Sequence, residues 1–485
     1  MEALNYVPNK KNLTILFLAA LAIRLAVFLF FIYPNEYYKQ PDSGDYHHCA
    51  LSLTLGRGMR RLDNNRPMFW RTPGYPLFLS FFYKTFGIKS TKFSENRPAQ
   101  TAAIIFQILL CSLIPLLIFF LALLLTKSLS ISWLTAWISA IHLGFVLSDT
   151  YLLTESLSIL FLIPFFIYFF KSFYLPGQIS PPRHRWLKSI IIAAVFLGIF
   201  AWVRPMGQFV SIVSAIMILI LDKVNWKIKL KKVVIFLLVF FAIVSPWYVR
   251  NYDITGKLFF CPMFGLYLNT FNAPKIIRAT EGLPLRQSID KLYQQAGKKA
   301  VEEFLIAKAS GKDLATELVH MKVALPIIKQ YPFLFLKDWM IESCKTAFDL
   351  YSYQLVDMAK NTFYYDPIEE FLTEKWSECL YEKKVPALMR LVIYLEIIFE
   401  ILKWIGLILG IFIFWLFPLI KLFDVSDYVK QTGLLWLKVA PMIGAFIIMT
   451  GGFGYARLRL PVEALIVMLS LTTWYWLIKE RKSEN

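Results

Sequence analysis

The sequence predicts an all-α protein that crosses a membrane about ten times. Hydrophobic residues make up 57% of the 485 residues and charged residues only 18%, a composition that excludes an ordinary soluble protein. About ten apolar stretches are long enough to cross the hydrocarbon core as helices. Lysine and arginine collect in alternate connecting segments, so the formal net charge of +19 indicates topology rather than nucleic-acid binding.

The apolar stretches define the predicted spans in chain order. The first is too long for a removed signal peptide and lacks a small-residue cleavage site, so we interpret it as a retained span. Arg24 lies inside it and needs a polar partner or water. The predicted spans lie at about 13–33, 99–126, 129–148, 151–170, 188–203, 205–221, 233–250, 401–420, 434–451 and 459–478.

The distribution of basic residues sets the predicted orientation. Basic residues are abundant in the segments after the even-numbered spans, for example at 223–232. The short outer turns carry only Arg204, Arg457 and Arg459. The positive-inside rule then places both termini in the cytoplasm. High use of Lys, Ile and Phe favours a bacterial inner (plasma) membrane.

Two long segments, at about 34–98 and 251–400, then fall on the extracytoplasmic side. Apolar residues at helical spacing predict amphipathic helices in the second segment at 294–306, 317–329 and 331–340, and an interfacial helix at 391–403. The predicted organisation is an N-terminal transmembrane module at 1–250 with the first outer loop at 34–98, a mainly helical outer segment at 251–400, and C-terminal transmembrane helices at 401–485.

The positions of the cysteines and the lack of nucleotide-binding motifs limit which cofactors and substrates we expect. Four cysteines fall on the outer side, where disulfides and free thiols both remain open: Cys49, Cys261, Cys344 and Cys379. The sequence has no dinucleotide fingerprint and no P-loop, and its predicted cytoplasmic loops are short. We therefore expect no nucleotide cofactor, and we expect lipid-borne substrates reached from the outer face.

Two carboxylates, Asp42 and Asp45, follow the first span. A carboxylate partly removed from water has a raised pKa unless a cation pairs with it, which suits a general base or a metal ligand. The alternative is that Asp42 only caps the helix that starts near Asp45. A divalent metal ion bound by Asp42 and His48 is a further alternative. Adjacent His47 and His48 would point about 100° apart on a helix, and a loop or surface histidine is the simpler interpretation.

Four arginines lie at the predicted outer ends of spans: Arg204, Arg250, Arg457 and Arg459. A guanidinium group can hold a phosphate in a fork while a prenyl tail stays in lipid. The alternative is that each arginine extends to the lipid head groups without a chemical role.

The first outer loop combines three patterns: Asp42-x-x-x-Tyr46-x-x-x-Ala50, a Leu53-x-x-Gly56-x-Gly58 turn, and Arg71-x-Pro73-Gly74-Tyr75-Pro76-Leu77-Phe78. Further short motifs follow at 152–157, 202–205, 246–251 and 457–461. Together they resemble the GT-C membrane glycosyltransferases that use polyprenyl-phosphate sugars, a group that includes protein O-mannosyltransferases and lipid A aminoarabinose transferases. The resemblance extends over nearly the whole chain.

The resemblance implies a GT-C-like fold and named roles. Asp42 is the implied catalytic carboxylate, with Asp45 beside it as a further candidate and Glu155 as the second acid, for which Asp149 is the alternative. Arg71 and Tyr75 are implied to contact substrate. The chain departs from many relatives at Ser43, where they carry Glu, and the aminoarabinose enzymes carry a carboxylate near the position of Arg71.

We therefore expect a hexosyl- or pentosyltransferase that moves a sugar from a polyprenyl-phosphate donor to a lipid, glycan or protein acceptor, without nucleic-acid partners. Some relatives use a divalent cation, so metal binding remains an alternative for this chain. One alternative is a transporter or lipid flippase, which would carry ionisable groups near the middle of several spans and an internal repeat. The other is a non-catalytic relative acting as a scaffold. The sequence does not decide the oligomeric state.

Overall fold

The computed structural model describes residues 8–62, 65–173, 183–295, 313–352, 354, 387–416, 427–449 and 455–483. Across these ranges the chain is helical and has no strand, apart from an isolated bridge between Arg60 and Pro67. The predicted all-helical class is confirmed. The α-helices are α1 Lys10–Val27, α2 Ser43–Thr54, α3 Gly74–Phe86, α4 Arg97–Cys111, α5 Ile114–Thr126, α6 Leu129–Ile141, α7 Leu143–Asp149, α8 Glu155–Lys171, α9 Arg183–Val203, α10 Gly207–Leu221, α11 Trp226–Thr255, α12 Met263–Tyr267, α13 Ala273–Glu281, α14 Leu285–Gln295, α15 Asp313–Gln330, α16 Pro332–Phe348, α17 Ala387–Ile411, α18 Asp427–Met449 and α19 Ala456–Ser483.

Each predicted span overlaps a helix, but the number ten is not confirmed. In the described part of the chain, 6 helices are long and apolar enough to cross a membrane, or up to 7 if a bent pair is one span. That pair is α6 and α7, which meet at 49°. Two helices at predicted positions, α8 with 17 residues and α10 with 15, are short for a hydrocarbon core that needs about 20 residues.

Arg24 has the partner that its position in the first span requires. Its Nε lies 2.5 Å from Oδ2 of Asp149, and its Nη1 donates to the carbonyl of Ala140 at 2.9 Å. Both side chains of the ion pair are fully buried. Asp149, the alternative to Glu155 as second acid, is therefore engaged in a structural pair between α1 and the end of α7.

The expected interfacial helix at 391–403 is instead part of one continuous helix, α17. Glu396, Glu400 and Lys403 are buried, although a helix at the interface would expose them. Their spacing of four and three residues puts them on one face, which packs against α19. Glu400 pairs with Lys403 inside the protein, and Glu396 accepts hydrogen bonds from the amides of Tyr351 and Ser352, so these polar residues do not lie at the membrane surface.

The second long segment contains the predicted helices wherever it is described. Residues 317–329 lie within α15, and α16 covers 331–340 from Pro332 onward. The predicted helix at 294–306 lies almost wholly outside the described residues. A separate small core joins α13, α14 and α15, formed by Ile276, Leu292, Val323 and Ala324 among others.

No disulfide joins the four cysteines that the structure describes, Cys49, Cys111, Cys261 and Cys344. Cys379 lies outside the described residues.

Candidate active site

Asp42 occupies the N-cap position of α2, but its side chain makes no capping hydrogen bond to that helix. Its carboxylate instead accepts hydrogen bonds from two guanidinium groups. Arg71 Nη2 lies 2.8 Å from Oδ1, and Arg457 Nη2 lies 3.3 Å from Oδ2. The geometry therefore gives the helix-cap alternative no support, because the oxygens face the two arginines.

The charge balance around Asp42 decides the direction of its pKa. Burial alone would raise the pKa of Asp42, but the guanidinium groups of Arg71 and Arg457 outweigh it and hold the pKa below the usual value. Asp42 is therefore an ionised carboxylate at neutral pH. An arginine that moved away would raise its proton affinity.

Arg71 bridges the two first-loop carboxylates. Besides Asp42, it donates from Nε to Asp45 at 3.1 Å, and its guanidinium lies 5.1 Å from the ring centre of Tyr46. Asp45 also accepts from Arg61 Nη1 at 2.6 Å. Asp45 is thus paired with two cations of its own loop.

Glu155 lies beside the same arginines from another part of the chain. It begins α8, where the helix dipole favours a negative charge. Its Oε1 lies 3.6 Å from Nη2 of Arg204 and 4.0 Å from Nε of Arg457. Arg457 therefore lies between Asp42 and Glu155, and the fold brings together the first outer loop and the ends of α8, α9 and α19.

Close backbone contacts fix the first loop to α9. A Cβ atom added to Gly74 would lie 2.6 Å from the carbonyl oxygen of Trp202, so only glycine fits there without a shift. Thr72 donates its hydroxyl to the carbonyl of Val203 at 3.0 Å. These contacts hold the loop that carries Arg71 beside Arg204.

Ser43, which departs from the GT-C pattern, has a structural role. Its hydroxyl donates to the carbonyl of Leu152 at 2.9 Å, and the Leu152 amide donates to the carbonyl of Tyr38 at 3.1 Å. The first loop is thereby held against the segment that leads to Glu155.

Arg250 lies under the first loop and holds its backbone. It donates to the carbonyls of Met59 and Met68, each at 2.9 Å. Its guanidinium also stacks between the rings of Trp247 and Phe69, at 4.5 and 5.0 Å from their centres. This arrangement clamps the turn at 59–68 rather than presenting the donors to a ligand.

Arg459 belongs to a separate buried cluster and is fully buried itself. Its Nε donates to Glu463 at 2.6 Å and its Nη2 to Glu400 at 2.9 Å. Its Nη1 donates to the backbone carbonyls of Thr346, Ala347 and Asp349, which anchor the end of α16. Each nitrogen of this guanidinium is thus bonded to the protein.

Two further predicted residues have partners in the interior. Tyr75 is fully buried, donates its hydroxyl to Gln107 at 3.1 Å and packs edge-on against Tyr46. His47 is buried between the hydroxyl of Tyr83, at 2.6 Å, and the carbonyl of Thr91, at 3.3 Å. Tyr75 thereby supports the ring of Tyr46, over which the Arg71 guanidinium lies.

The burial of His47 makes the protein acid-sensitive. Desolvation lowers the pKa of His47 to about 4, whereas an unfolded histidine titrates near its ordinary value of 6.5. Stability from this group is complete above pH 6.5 and is lost as the pH falls toward 4, because the unfolded state gains the proton first. At pH 5 the loss should be about 2 kcal/mol. Melting of the purified protein at pH 8 and pH 5 should show a smaller pH difference for His47→Gln. An equal difference in both proteins would contradict this account.

Comparisons with known proteins agree with this architecture. A family model described as dolichyl-phosphate-mannose-protein mannosyltransferase matches residues 76–255, a range that includes Glu155 and Arg204. No curated protein matches the chain. The apo oligosaccharyltransferase of Archaeoglobus fulgidus superposes with a TM-score of 0.51 at 12% identity, covering 98% of this chain and 52% of that one. The same organism's AglB, in complex with an inhibitory peptide and a dolichol-phosphate, gives 0.50 at 12% identity and covers 97% and 51%.

The chain has the fold of these archaeal oligosaccharyltransferase structures. The fold resemblance predicted from the first-loop motifs is confirmed, and the chain spans about half the length of the archaeal structures. ArnT from Cupriavidus metallidurans, bound to undecaprenyl phosphate, gives a TM-score of 0.35 at 11% identity, covering 92% of this chain and 77% of that one.

Sequence reasoning missed several residues that shape the site. Lys403 donates to Glu400 at 2.6 Å and also contacts Glu463, which completes the cluster around Arg459. Asp349 accepts a hydrogen bond from the amide of Ala456 at 2.9 Å and so caps α19 one residue before Arg457. Lys403 is far from Glu463 in the sequence, as Asp349 is from Ala456, and only the fold brings these partners together.

Among the described residues, one group has the donor types of a metal site, His142, Glu400 and Glu463, with ligand atoms within 4.8 Å of one another. Lys403 and Arg459 already neutralise both carboxylates. A divalent cation there would meet two fixed positive charges, so the residues do not fit a metal. Asp42 and His48 do not form such a three-ligand group in the described part of the chain.

Proposed function

We propose that this protein is a membrane glycosyltransferase that moves a sugar from a polyprenyl-phosphate donor to a lipid, glycan or protein acceptor. The observation that carries the proposal is the placement of Arg457 between Asp42 and Glu155, with Arg204 beside Glu155. The GT-C fold and the family-model match at 76–255 support the same chemistry. We place the reaction on the extracytoplasmic side, with both termini cytoplasmic.

The chemistry needs a base for the acceptor and a cation for the departing phosphate. The acceptor hydroxyl loses a proton as it attacks the anomeric carbon, and the polyprenyl phosphate leaves through an oxocarbenium-like state. Phosphate is a good leaving group once its charge is stabilised, so arginine suits that role better than an acid. Asp42 is assigned as the base and Glu155 as the residue that positions Arg204 and Arg457. Asp45 orients Arg71.

Donor binding would also raise the basicity of Asp42. Arg457 makes a longer contact to Asp42 than Arg71 does, 3.3 against 2.8 Å. A donor phosphate competes with Asp42 for Arg457 because both are anions. When Arg457 turns toward phosphate, the pKa of Asp42 rises and the carboxylate becomes a stronger base. The base would then be strongest when the donor is in place.

The four span-end arginines divide into two roles in this proposal. Arg204 and Arg457 hold the donor phosphate, since their carboxylate contacts are long, between 3.3 and 4.0 Å, and the buried Nη1 of Arg204 has no hydrogen-bond partner among the described residues. Arg250 and Arg459 position the backbone, since their donors are directed at carbonyls and buried carboxylates. Arg71 and Tyr75 shape the acceptor side of the site.

The transporter or flippase alternative has less support. Two buried ion pairs form compact structural contacts, Arg24 with Asp149 and Lys232 with Asp222 at 2.6 Å. Such fixed pairs suit a static scaffold better than a path for a charged substrate. A silent scaffold protein would keep the same packing, so activity must decide.

Transfer can be tested with membranes from cells that lack the gene. Wild-type protein in vesicles should release polyprenyl phosphate from a mixed pool of polyprenyl-phosphate sugars when acceptor membranes are added, and mass spectrometry should find the sugar mass on one acceptor species. Heat-inactivated protein is the control. If intact protein leaves both donor and acceptor pools unchanged, with every donor class supplied, the enzyme proposal fails.

Removing Arg204 should weaken donor use. Arg204→Ala is expected to lower kcat/KM for the donor about 10- to 150-fold, the equivalent of ~1.5–3 kcal/mol for a hydrogen bond to a charged group. The matched control is Lys257→Ala, which removes an exposed cation beyond the end of α11. Steady-state kinetics at varied donor concentration measures both. Equal kinetics for the two variants would remove Arg204 from the phosphate site.

A further inference from the structure

Helix α16 exposes an apolar face and turns charged side chains toward the protein. Its exposed face is apolar and includes Phe333, Leu336, Met340, Ile341 and Phe348, with exposed fractions from 44% to 84%. These side chains recur at helical spacing, so they form one continuous face along the helix. A soluble helix turns such a face inward, and a contiguous exposed patch of this kind marks an interaction surface.

The inward face of α16 carries the charges instead. Asp338 accepts from Asn272 at 3.2 Å, and Glu342 accepts from Lys275 and Lys345, each at 2.8 Å. These contacts dock α16 on α13 and on the π-helical turn Leu268–Asn272 that precedes α13. Rotating the helix to hide its apolar face would break them, so the structure fixes the apolar face outward.

This face continues the apolar surface of two membrane helices. Trp339 donates its indole N–H to the carbonyl of Ile448 at 2.9 Å, at the end of α18, where the Ile448 side chain is 60% exposed. Phe348 packs against Trp404 of α17 with ring centres 4.6 Å apart. Alongside, α17 exposes Ile401 and Ile408. The surface of α16 is therefore continuous with surfaces expected to face lipid.

We propose that α16 lies in the membrane interface and that acyl chains of bilayer phospholipids cover its apolar face. Lipid would occupy an open groove along α16, lined by the exposed apolar residues and by Cys344, Lys337 and Lys345. Lipid chains match the apolar lining, and the exposed Lys337 matches the phosphates of anionic lipids. The proposal concerns a surface outside the candidate active site and does not depend on sugar transfer.

Cys344 is a natural reporter because it is exposed within the groove, whereas Cys49 and Cys111 are buried. The full-length protein is reconstituted in vesicles of phosphatidylethanolamine and phosphatidylglycerol and labelled with a small environment-sensitive fluorophore. Subtracting the signal of Cys344→Ser isolates the reporter. A second reporter, Met340→Cys in the Cys344→Ser background, covers the case in which labelling at Cys344 disturbs the fold. Lys92→Cys, at a side chain 76% exposed, is the water-facing control.

Quenching by nitroxide-labelled phospholipid and by aqueous iodide distinguishes the occupants. We expect lipid nitroxide to remove most fluorescence at positions 340 and 344 while iodide has little effect, with the reverse at position 92. Strong iodide quenching at 340 and 344 would show a water-facing surface and overturn the proposal. Protection from both quenchers would mean that protein, such as a second copy of the chain, covers the face. Relief of lipid quenching by added polyprenyl phosphate would assign the groove to the donor chain instead, and would also overturn it.

Discussion

Asp42→Asn should lower transfer by about 10²- to 10⁴-fold, the range expected when a general base is lost. Asparagine has nearly the size of aspartate, and its single amide oxygen can still accept the shorter hydrogen bond from Arg71, so the loop should keep its structure although the contact to Arg457 is lost. It cannot take a proton from the acceptor. The measurement is the rate of polyprenyl phosphate release at saturating donor, together with the membrane level and melting temperature of each protein.

Asp253→Asn is the matched control, because it removes an exposed carboxylate near the end of α11 with the same chemical change. It should keep wild-type activity. Glu155→Gln should act mainly on donor KM if Glu155 only positions Arg204 and Arg457. Asp42→Asn with full activity would contradict the base assignment, and a fall confined to KM would make Asp42 a binding residue.

Much of the fold could be predicted from the sequence because hydrocarbon is a demanding solvent. Apolar runs had to become helices, so each predicted span overlaps at least one helix. Details that depend on packing could not be predicted. The bend at His142 interrupts an apolar run that is continuous in the sequence. Glu396 of α17 is buried, although a glutamate among apolar residues at that point is typical of a helix at the membrane interface. Its carboxylate accepts hydrogen bonds from the amides of Tyr351 and Ser352, which lie far away in the sequence.

Some features of the candidate site could likewise be predicted from the sequence, and others could not. Motif spacing pointed to Asp42 and Glu155, and the fold places both beside Arg457. Position alone could not distinguish Arg457 from Arg459. Sequence indicates that both lie near one membrane face, but the side chains of residues two apart on a helix point in very different directions. Only the structure shows that one contacts Asp42 and the other the buried carboxylates.

These two arginines belong to one packed unit. Arg459 bonds the carbonyls at the end of α16, and Asp349, just beyond that end, caps α19 at Ala456. The direction of Arg457 therefore depends on contacts between α16 and α19. The second long segment, although distant from Asp42 in sequence, positions a residue of the candidate site.

Replacing Arg459 should lower the free energy of unfolding more than any other substitution near the site. Arg459 and Lys403 balance Glu400 and Glu463 in a buried cluster. Arg459→Met leaves one carboxylate charge uncompensated in the interior, and breaking such a pair costs about 3–5 kcal/mol. Thermal unfolding in detergent micelles should show a correspondingly lower melting temperature. Arg457→Met, two residues away and partly exposed, should lose transfer while melting near the wild-type temperature.

A double variant separates charge from packing as the cause. Arg459→Met with Glu463→Leu removes one charge of each sign and leaves the Lys403–Glu400 pair, so the cluster is neutral again. Its stability should lie much closer to wild type than that of Arg459→Met alone, because replacing a buried ion pair by apolar side chains is often neutral. If the double variant is as unstable as the sum of both single variants, the carbonyl contacts of Arg459 to α16 matter more than its charge. In that case Arg459 acts chiefly as a backbone anchor, and Arg457 should be misplaced in every variant that lacks it.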